Sequence, residues 1–193
     1  MALEITVADL SLAAIDALDV DTLGVFVSPD RPLQGLAGFA DWRLCGAISR
    51  AIRAGTFDGL DGEALLLPSG GRLTAPRVFC FGLSEVPLPP DRFLRASREA
   101  CEALARAGSS SFAISPPPLA GGDAPLAARL WLEAALVRPV SRQVLLGDAR
   151  TWQRELVTAR AELSADVVIV VPTSRVEMPG RARALPHVGT VVR

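Results

Sequence analysis

The sequence predicts an α/β protein, a three-layer α/β/α sandwich on a mixed, largely parallel sheet. Three observations carry this. Strand-like runs alternate with helical stretches from Arg77 to Val171, the pattern of a sheet with parallel pairing and helices on its faces. Two apolar runs, 62–67 and 77–81, flank a Pro68-Ser-Gly-Gly-Arg72 turn, which adds an antiparallel hairpin. At 193 residues the chain fits one domain, long enough to bury roughly 70% of its unfolded surface without staples. A main domain over residues 1–172 is expected, followed by a Pro-, Gly- and Arg-rich tail over 173–193.

The elements follow in order. Leu3, Ile5 and Val7 alternate with polar residues up to Leu10, the period of a half-buried strand. Leu23 to Val27 is more continuously apolar and predicts a more buried strand, ended by Pro29 and Pro32. Leu36, Phe39, Ala40, Leu44, Ala47, Ile48, Ala51 and Ile52 recur at helical spacing, so one helix is expected from about Leu33 to Ala54. Gly55 is placed to cap it. Gly46 falls mid-helix, where a close crossing is the expected reason for it.

Asp91 is placed to cap a helix that ends near Ala107, before Gly108. Its apolar face is Phe93, Leu94, Cys101, Leu104 and Ala105, and Arg95–Glu99 and Arg98–Glu102 are spaced as surface pairs. A short strand spans 111–114. A helix starting at Pro125 turns Leu126, Leu130, Ala134 and Val137 inward and stops at Pro139. Val144 to Leu146 predicts a strand, Trp152 to Leu163 a helix, and Val167 to Val171 a buried strand.

Composition excludes several functions. Half of the residues are hydrophobic and 21% charged, which is globular. A net charge of -1 draws the chain to neither nucleic acid nor anionic membrane as a whole. Every basic residue other than His187 is arginine, so Schiff-base and P-loop lysine chemistry have no residue to work with. Cys45, Cys80 and Cys101 form no CxxC or CxxH pair, which argues against zinc and thioredoxin-like chemistry. They are expected to be buried free thiols, which fits a cytoplasmic location. The N-terminus lacks the basic region of a signal peptide, and no apolar run has the roughly 18 residues of a membrane span.

Four pieces between Leu23 and Leu83 occur in a telling order: Asp41-Trp-Arg-Leu-Cys-Gly-Ala-Ile48, Gly55-Thr-Phe-Asp-Gly59 with Gly62-Glu63, Leu65-Leu-Leu-Pro68, and Ala75-Pro-Arg-Val-Phe-Cys-Phe-Gly-Leu83. Together they resemble the N-terminal, non-catalytic domain of the leucyl (cytosol) aminopeptidase family, over roughly residues 22–115. The resemblance implies a macro-domain-like fold. It does not imply catalysis, because the family's two-metal site, with its lysine, aspartates and glutamate, lies in a C-terminal domain. The Asn-Thr-Asp-Ala-Glu-Gly-Arg segment that carries some of those ligands does not occur in this sequence. The family's Gly-Leu-Gly step ends here in Ser84.

No catalytic residue, cofactor or metal site is therefore expected. Three candidate sites remain to be placed. Gly82, Leu83 and Ser84 end a strand before a helix, a position where α/β sheets hold ligands such as nucleotides or ADP-ribose; a structural turn is the default. Asp58, Asp61 and Glu63 gather carboxylates in one loop but lack EF-hand spacing. Arg175, Arg181 and Arg183, with Arg193, make the end of the chain locally basic; some relatives in the family bind DNA, so nucleic acid is the alternative to a solvated tail. His187, the single histidine, stands apart from any nucleophile pattern. Trp42, Trp131 and Trp152 all fall on helices and are expected to pack rather than stack bases. The expected role is an interaction or regulatory module with a protein partner or a second copy of itself, without membrane contact.

Overall fold

The computed structural model describes residues 3–29 and 31–170. The expected tail, with its boundary at 172, lies outside the described residues. Seven strands, β1 (Leu3–Asp9), β2 (Thr22–Val27), β3 (Ala64–Pro68), β4 (Arg77–Gly82), β5 (Ser111–Ile114), β6 (Arg142–Gly147) and β7 (Val167–Val170), form one sheet in the order β3-β4-β2-β5-β6-β1-β7. Every neighbouring pair is parallel except β3–β4. The mixed, largely parallel sheet is as expected, and so is its one antiparallel hairpin.

Strand alternation sends side chains to two cores. On one face Ile5, Phe81, Phe112, Ile114 and Leu145 pack against α4 (Pro90–Arg106), α5 (Ala124–Val137) and α6 (Ala149–Glu162). On the other, Leu23, Val25, Val78, Val144 and Leu146 meet α1 (Leu12–Asp16), α2 (Gly35–Arg43) and α3 (Ala47–Arg53). β6 shows the rule most simply, with Leu145 on one side and Val144 and Leu146 on the other. β2 lies centrally and is covered on both faces, which is why it is apolar almost throughout.

The single helix expected over 33–54 is two helices. Cys45 (φ 53°) and Gly46 (φ 80°) are both left-handed and end α2. The Gly46 N–H donates to the Asp41 carbonyl and the Cys45 N–H to that of Trp42, a Schellman ending. The Asp41 carboxylate then accepts from the N–H groups of Ile48 (2.8 Å) and Ser49 (3.1 Å) and from the Ser49 hydroxyl (2.5 Å). One acid thus caps the helix that follows its own, and Gly46 serves the break rather than a close crossing. Gly55 (φ 67°) caps α3 as expected, with the Thr56 and Gly55 N–H groups donating to Ala51 and Ile52.

Other expectations are corrected. Pro90, not Asp91, is the first residue of α4; Asp91 follows inside its first turn, where its charge favours the helix dipole. Glu102 pairs with Arg106. In α5 the buried residues are Ala127, Ala128, Trp131, Leu132, Ala134 and Ala135, while Val137 is exposed. This helix lies between α4 and α6, and its small residues allow both to approach. β7 is an edge strand, with Val168 exposed, rather than a fully buried one. Helix α1, capped by the Ser11 hydroxyl, has no counterpart among the expected elements.

Candidate functional site

The expected Gly82-Leu83-Ser84 site is the end of β4, and its backbone donors are engaged. The N–H of Gly82 donates to the Glu63 carbonyl and that of Leu83 to the Val27 carbonyl, each at 2.9 Å. The Ser84 N–H donates to the Asp61 carboxylate at 2.8 Å, and the Ser84 hydroxyl accepts from the Asp61 N–H. Gly82 is needed for a close approach: a Cβ there would lie 2.0 Å from the Leu60 carbonyl oxygen. Leu83 is buried. The segment holds the 59–63 loop against β4 and presents no row of free N–H groups to an anion.

The acidic loop is the other half of the same latch. One oxygen of Glu63 accepts from the N–H groups of Asp58, Gly59 and Leu60 at 2.9, 2.8 and 3.1 Å. Asp61 also pairs with Arg92 of α4, which reaches Glu85 as well. The Ser84 N–H is the first cause holding the Asp61 carboxyl below its ordinary range, with Arg92 adding to it. Glu63 and Asp61 thus organise backbone and an arginine. No group of three or more His, Cys, Asp or Glu among the described residues is placed to hold a metal.

A cleft of about 330 Å³ opens nearby, at the C-terminal ends of β2, β4 and β5. It is lined by Phe26 and Ser28, by residues 32–37, by Leu83 and Val86, and by residues 115–118. β2 leads into helices on one face of the sheet, whereas β4 and β5 lead into helices on the other. The cleft therefore sits at a topological switch point, where open α/β sheets hold their ligands. Among the described residues, none that lines it carries a charged side chain. Its polar feature is the start of α2, whose N-cap Gln34 makes no side-chain cap bond. Sequence reasoning reached Leu83 but missed the other walls, which come from loops far apart in the chain.

The thiols divide. Burial pushes Cys80 and Cys101 up to about 12, while Cys45, expected to be buried, is exposed at the α2–α3 break. Trp131 is fully buried, but Trp42 is 63% exposed with the Arg43 guanidinium 4.5 Å from its ring centre. Arg43 in turn makes a two-pronged pair with Asp16. His187, Arg175, Arg181, Arg183 and Arg193 lie outside the described residues. No helix among the described residues is long and apolar enough to cross a membrane.

Comparison with known proteins places this geometry. The model of the cytosol aminopeptidase family's N-terminal domain matches residues 23–138. A tomato leucine aminopeptidase mutant is similar in structure, with a TM-score of 0.55 and 15% identity, covering 83% of this chain and 37% of that one. The chain thus spans little more than a third of that enzyme's length. An Oceanobacillus iheyensis macrodomain mutant with ADPR is similar at a TM-score of 0.61 and 15% identity, covering 83% of this chain and 92% of that one. The macrodomain of Thermus aquaticus DarG follows at 0.54 and 14%, covering 75% and 97%. No curated protein sequence matches. At these identities the likeness to solved structures establishes a macrodomain-like fold, whereas the family match extends over more than half of the chain: the protein belongs to the cytosol aminopeptidase family, through that family's N-terminal domain.

Proposed function

We propose that this chain acts as a non-catalytic interaction or regulatory module built on the aminopeptidase N-terminal scaffold. The observation that carries the reading is the use of its acids. Asp41 caps α3, Glu63 gathers three backbone N–H groups, and Asp61 holds Ser84 and Arg92. These carboxylates in the family-matched region stabilise the scaffold, whereas a two-metal hydrolase needs several converging on ions. Free, high-pKa thiols fit a reducing cytoplasm. Calorimetric titration with Zn²⁺ and Mn²⁺ tests the reading. It expects no stoichiometric binding; a saturable site tighter than about 10 μM, roughly -7 kcal/mol, refutes it.

A second reading is small-ligand binding in the switch-point cleft, with a nucleotide or ADP-ribose as the ligand. It is favoured by the cleft's position and by the α2 N-terminus on its wall, and by a structural relative that carries ADPR. A dose-dependent rise in melting temperature with ADP-ribose supports it, and no shift at millimolar ligand removes it. Nucleic-acid binding through Arg175, Arg181 and Arg183 is the third reading, tested by a salt-dependent gel shift.

A further inference from the structure

The switch-point cleft is bounded by the connections that leave β2, β4 and β5 for their helices. In an open α/β sheet such connections bind phosphate through backbone N–H groups at the start of a helix. Here they are rich in proline, which has no N–H. The connection after β2 carries Pro29 and Pro32, that after β4 carries Pro87 and Pro89, and that after β5 carries Pro116, Pro117 and Pro118 in succession.

Other donors there are already used. The Leu83 N–H donates to the Val27 carbonyl and the Ser84 N–H to the Asp61 carboxylate. The connections after β4 and β5 bond each other: the Leu88 N–H donates to the Pro118 carbonyl at 2.8 Å and the Ala120 N–H to the Leu88 carbonyl at 2.7 Å. At the start of α5 the Asp123 carboxylate accepts from the Leu126 N–H, which puts a negative charge where an anion would dock. Arg31, the basic residue of the connection after β2, donates to the Ser28 carbonyl.

The remaining lining is apolar. Phe26, Leu33 and Val86 face the cleft and are each only partly buried, so apolar surface is left for a ligand to cover. At about 330 Å³ the cleft is at the small end of ligand pockets, which run roughly 300–1,000 Å³. The start of α2, where Gln34 makes no cap bond, can meet a single acceptor.

We infer that the cleft takes a small, uncharged ligand with an apolar ring or chain and one carbonyl-type acceptor, and that it excludes phosphate-bearing ligands such as nucleotides and ADP-ribose. The apolar body covers Phe26, Leu33 and Val86, and the acceptor meets the first turn of α2. A diphosphate would leave charge without donors on the proline side, and an unpaired charge out of water is costly. This inference rests on the small-ligand reading of the cleft and changes its ligand class.

Prodan, an uncharged naphthalene dye with one ketone, serves as the probe, because its emission moves to the blue in apolar surroundings. Titrating the full chain from about 1 to 500 μM into a trace of dye should give a saturable shift with a midpoint on the order of 100 μM. Val86→Asp and Leu33→Asp put a charge on the connections after β4 and β2, and each should raise the midpoint at least about 10-fold. Val157→Asp, at an exposed valine of α6, should leave it unchanged, with circular dichroism confirming that all three variants fold. Millimolar ADP-ribose or pyrophosphate should displace none of the dye. Displacement by ADP-ribose overturns the ligand class and leaves the small-ligand reading standing. No saturable shift, or one that Val86→Asp and Leu33→Asp both leave intact, overturns the inference; if ADP-ribose also leaves the melting temperature unmoved, the small-ligand reading falls with it.

Discussion

Replacing Gly82 with alanine tests the latch between β4 and the acidic loop. The added Cβ would lie 2.0 Å from the Leu60 oxygen and 2.7 Å from both Gly59 C and Leu60 N. All three are backbone atoms, so no side-chain rotation relieves the overlap. The 59–61 segment must shift, which strains the Glu63 cage and the Asp61–Ser84 exchange. Overpacking of this kind costs about 1–3 kcal/mol, and each loosened hydrogen bond adds about 1 kcal/mol. A total near 3 kcal/mol corresponds to a fall of roughly 6–12 °C in melting temperature for a chain of this size. Gly62→Ala is the comparison: its φ is +81° but nothing lies within 4 Å of the added carbon, so only the left-handed cost of about 1 kcal/mol applies. Calorimetry or thermal circular dichroism reads both. A Gly82→Ala protein that melts within about 2 °C of the parent, or above Gly62→Ala, rules out a tight latch at this position.

Three further outcomes follow from the geometry. Asp41→Ala removes three hydrogen bonds at the α2–α3 break and should cost about 2–3 kcal/mol in urea denaturation, whereas Asp41→Asn, which keeps an acceptor, should cost less. Acid should destabilise the fold through Asp21, Asp61 and Asp148. The first causes are the Ser110 hydroxyl, the Ser84 N–H and the Thr151 N–H respectively, and all three hold the folded carboxyl below its ordinary range. The unfolded chain therefore binds more protons, so their stabilisation is complete above about pH 5 and drains away as pH falls through the folded values; urea midpoints at a series of pH values check this, and Asp21→Asn should make the acid decline shallower. Iodoacetamide should alkylate Cys45 in the native protein and spare Cys80 and Cys101, whose buried thiols are pushed up to about 12; mass spectrometry after a short exposure distinguishes the sites.

Much of the sheet was legible because strands announce themselves locally. β1 alternates in sequence and in burial, and β2 is apolar throughout because it is central. Helix ends with glycines in the left-handed region, at Gly55 and Gly108, were also legible. The break between α2 and α3 was not, since the apolar stripe runs through it in phase. What ends α2 is Cys45 in a conformation usually given to glycine, with its N–H on the Trp42 carbonyl, while the Asp41 carboxylate caps the helix that follows. The inward face of α5 was legible in part: Ala134 is buried and Leu126 and Leu130 pack partly buried against the core, but Val137 is exposed, and the packing between α4 and α6 also draws in further alanines, Leu132 and Trp131. The cleft was half legible. Leu83 lies on one wall, but its other walls are proline-rich loops after β2 and β5, brought together only by the strand order. The motif residues themselves pointed to scaffold, and Asp41, Gly46, Gly55 and Gly82 have that role.

On the function proposed above, the carboxylates of the family-matched region maintain structure and do no chemistry. The most direct test is release of the leaving group from aminoacyl amides by the purified chain, assayed with Zn²⁺, Mn²⁺ or Mg²⁺ and again with chelator. The expected rate equals the metal-only blank in every case. Turnover that requires both the chain and a divalent ion, and that chelation abolishes, contradicts it.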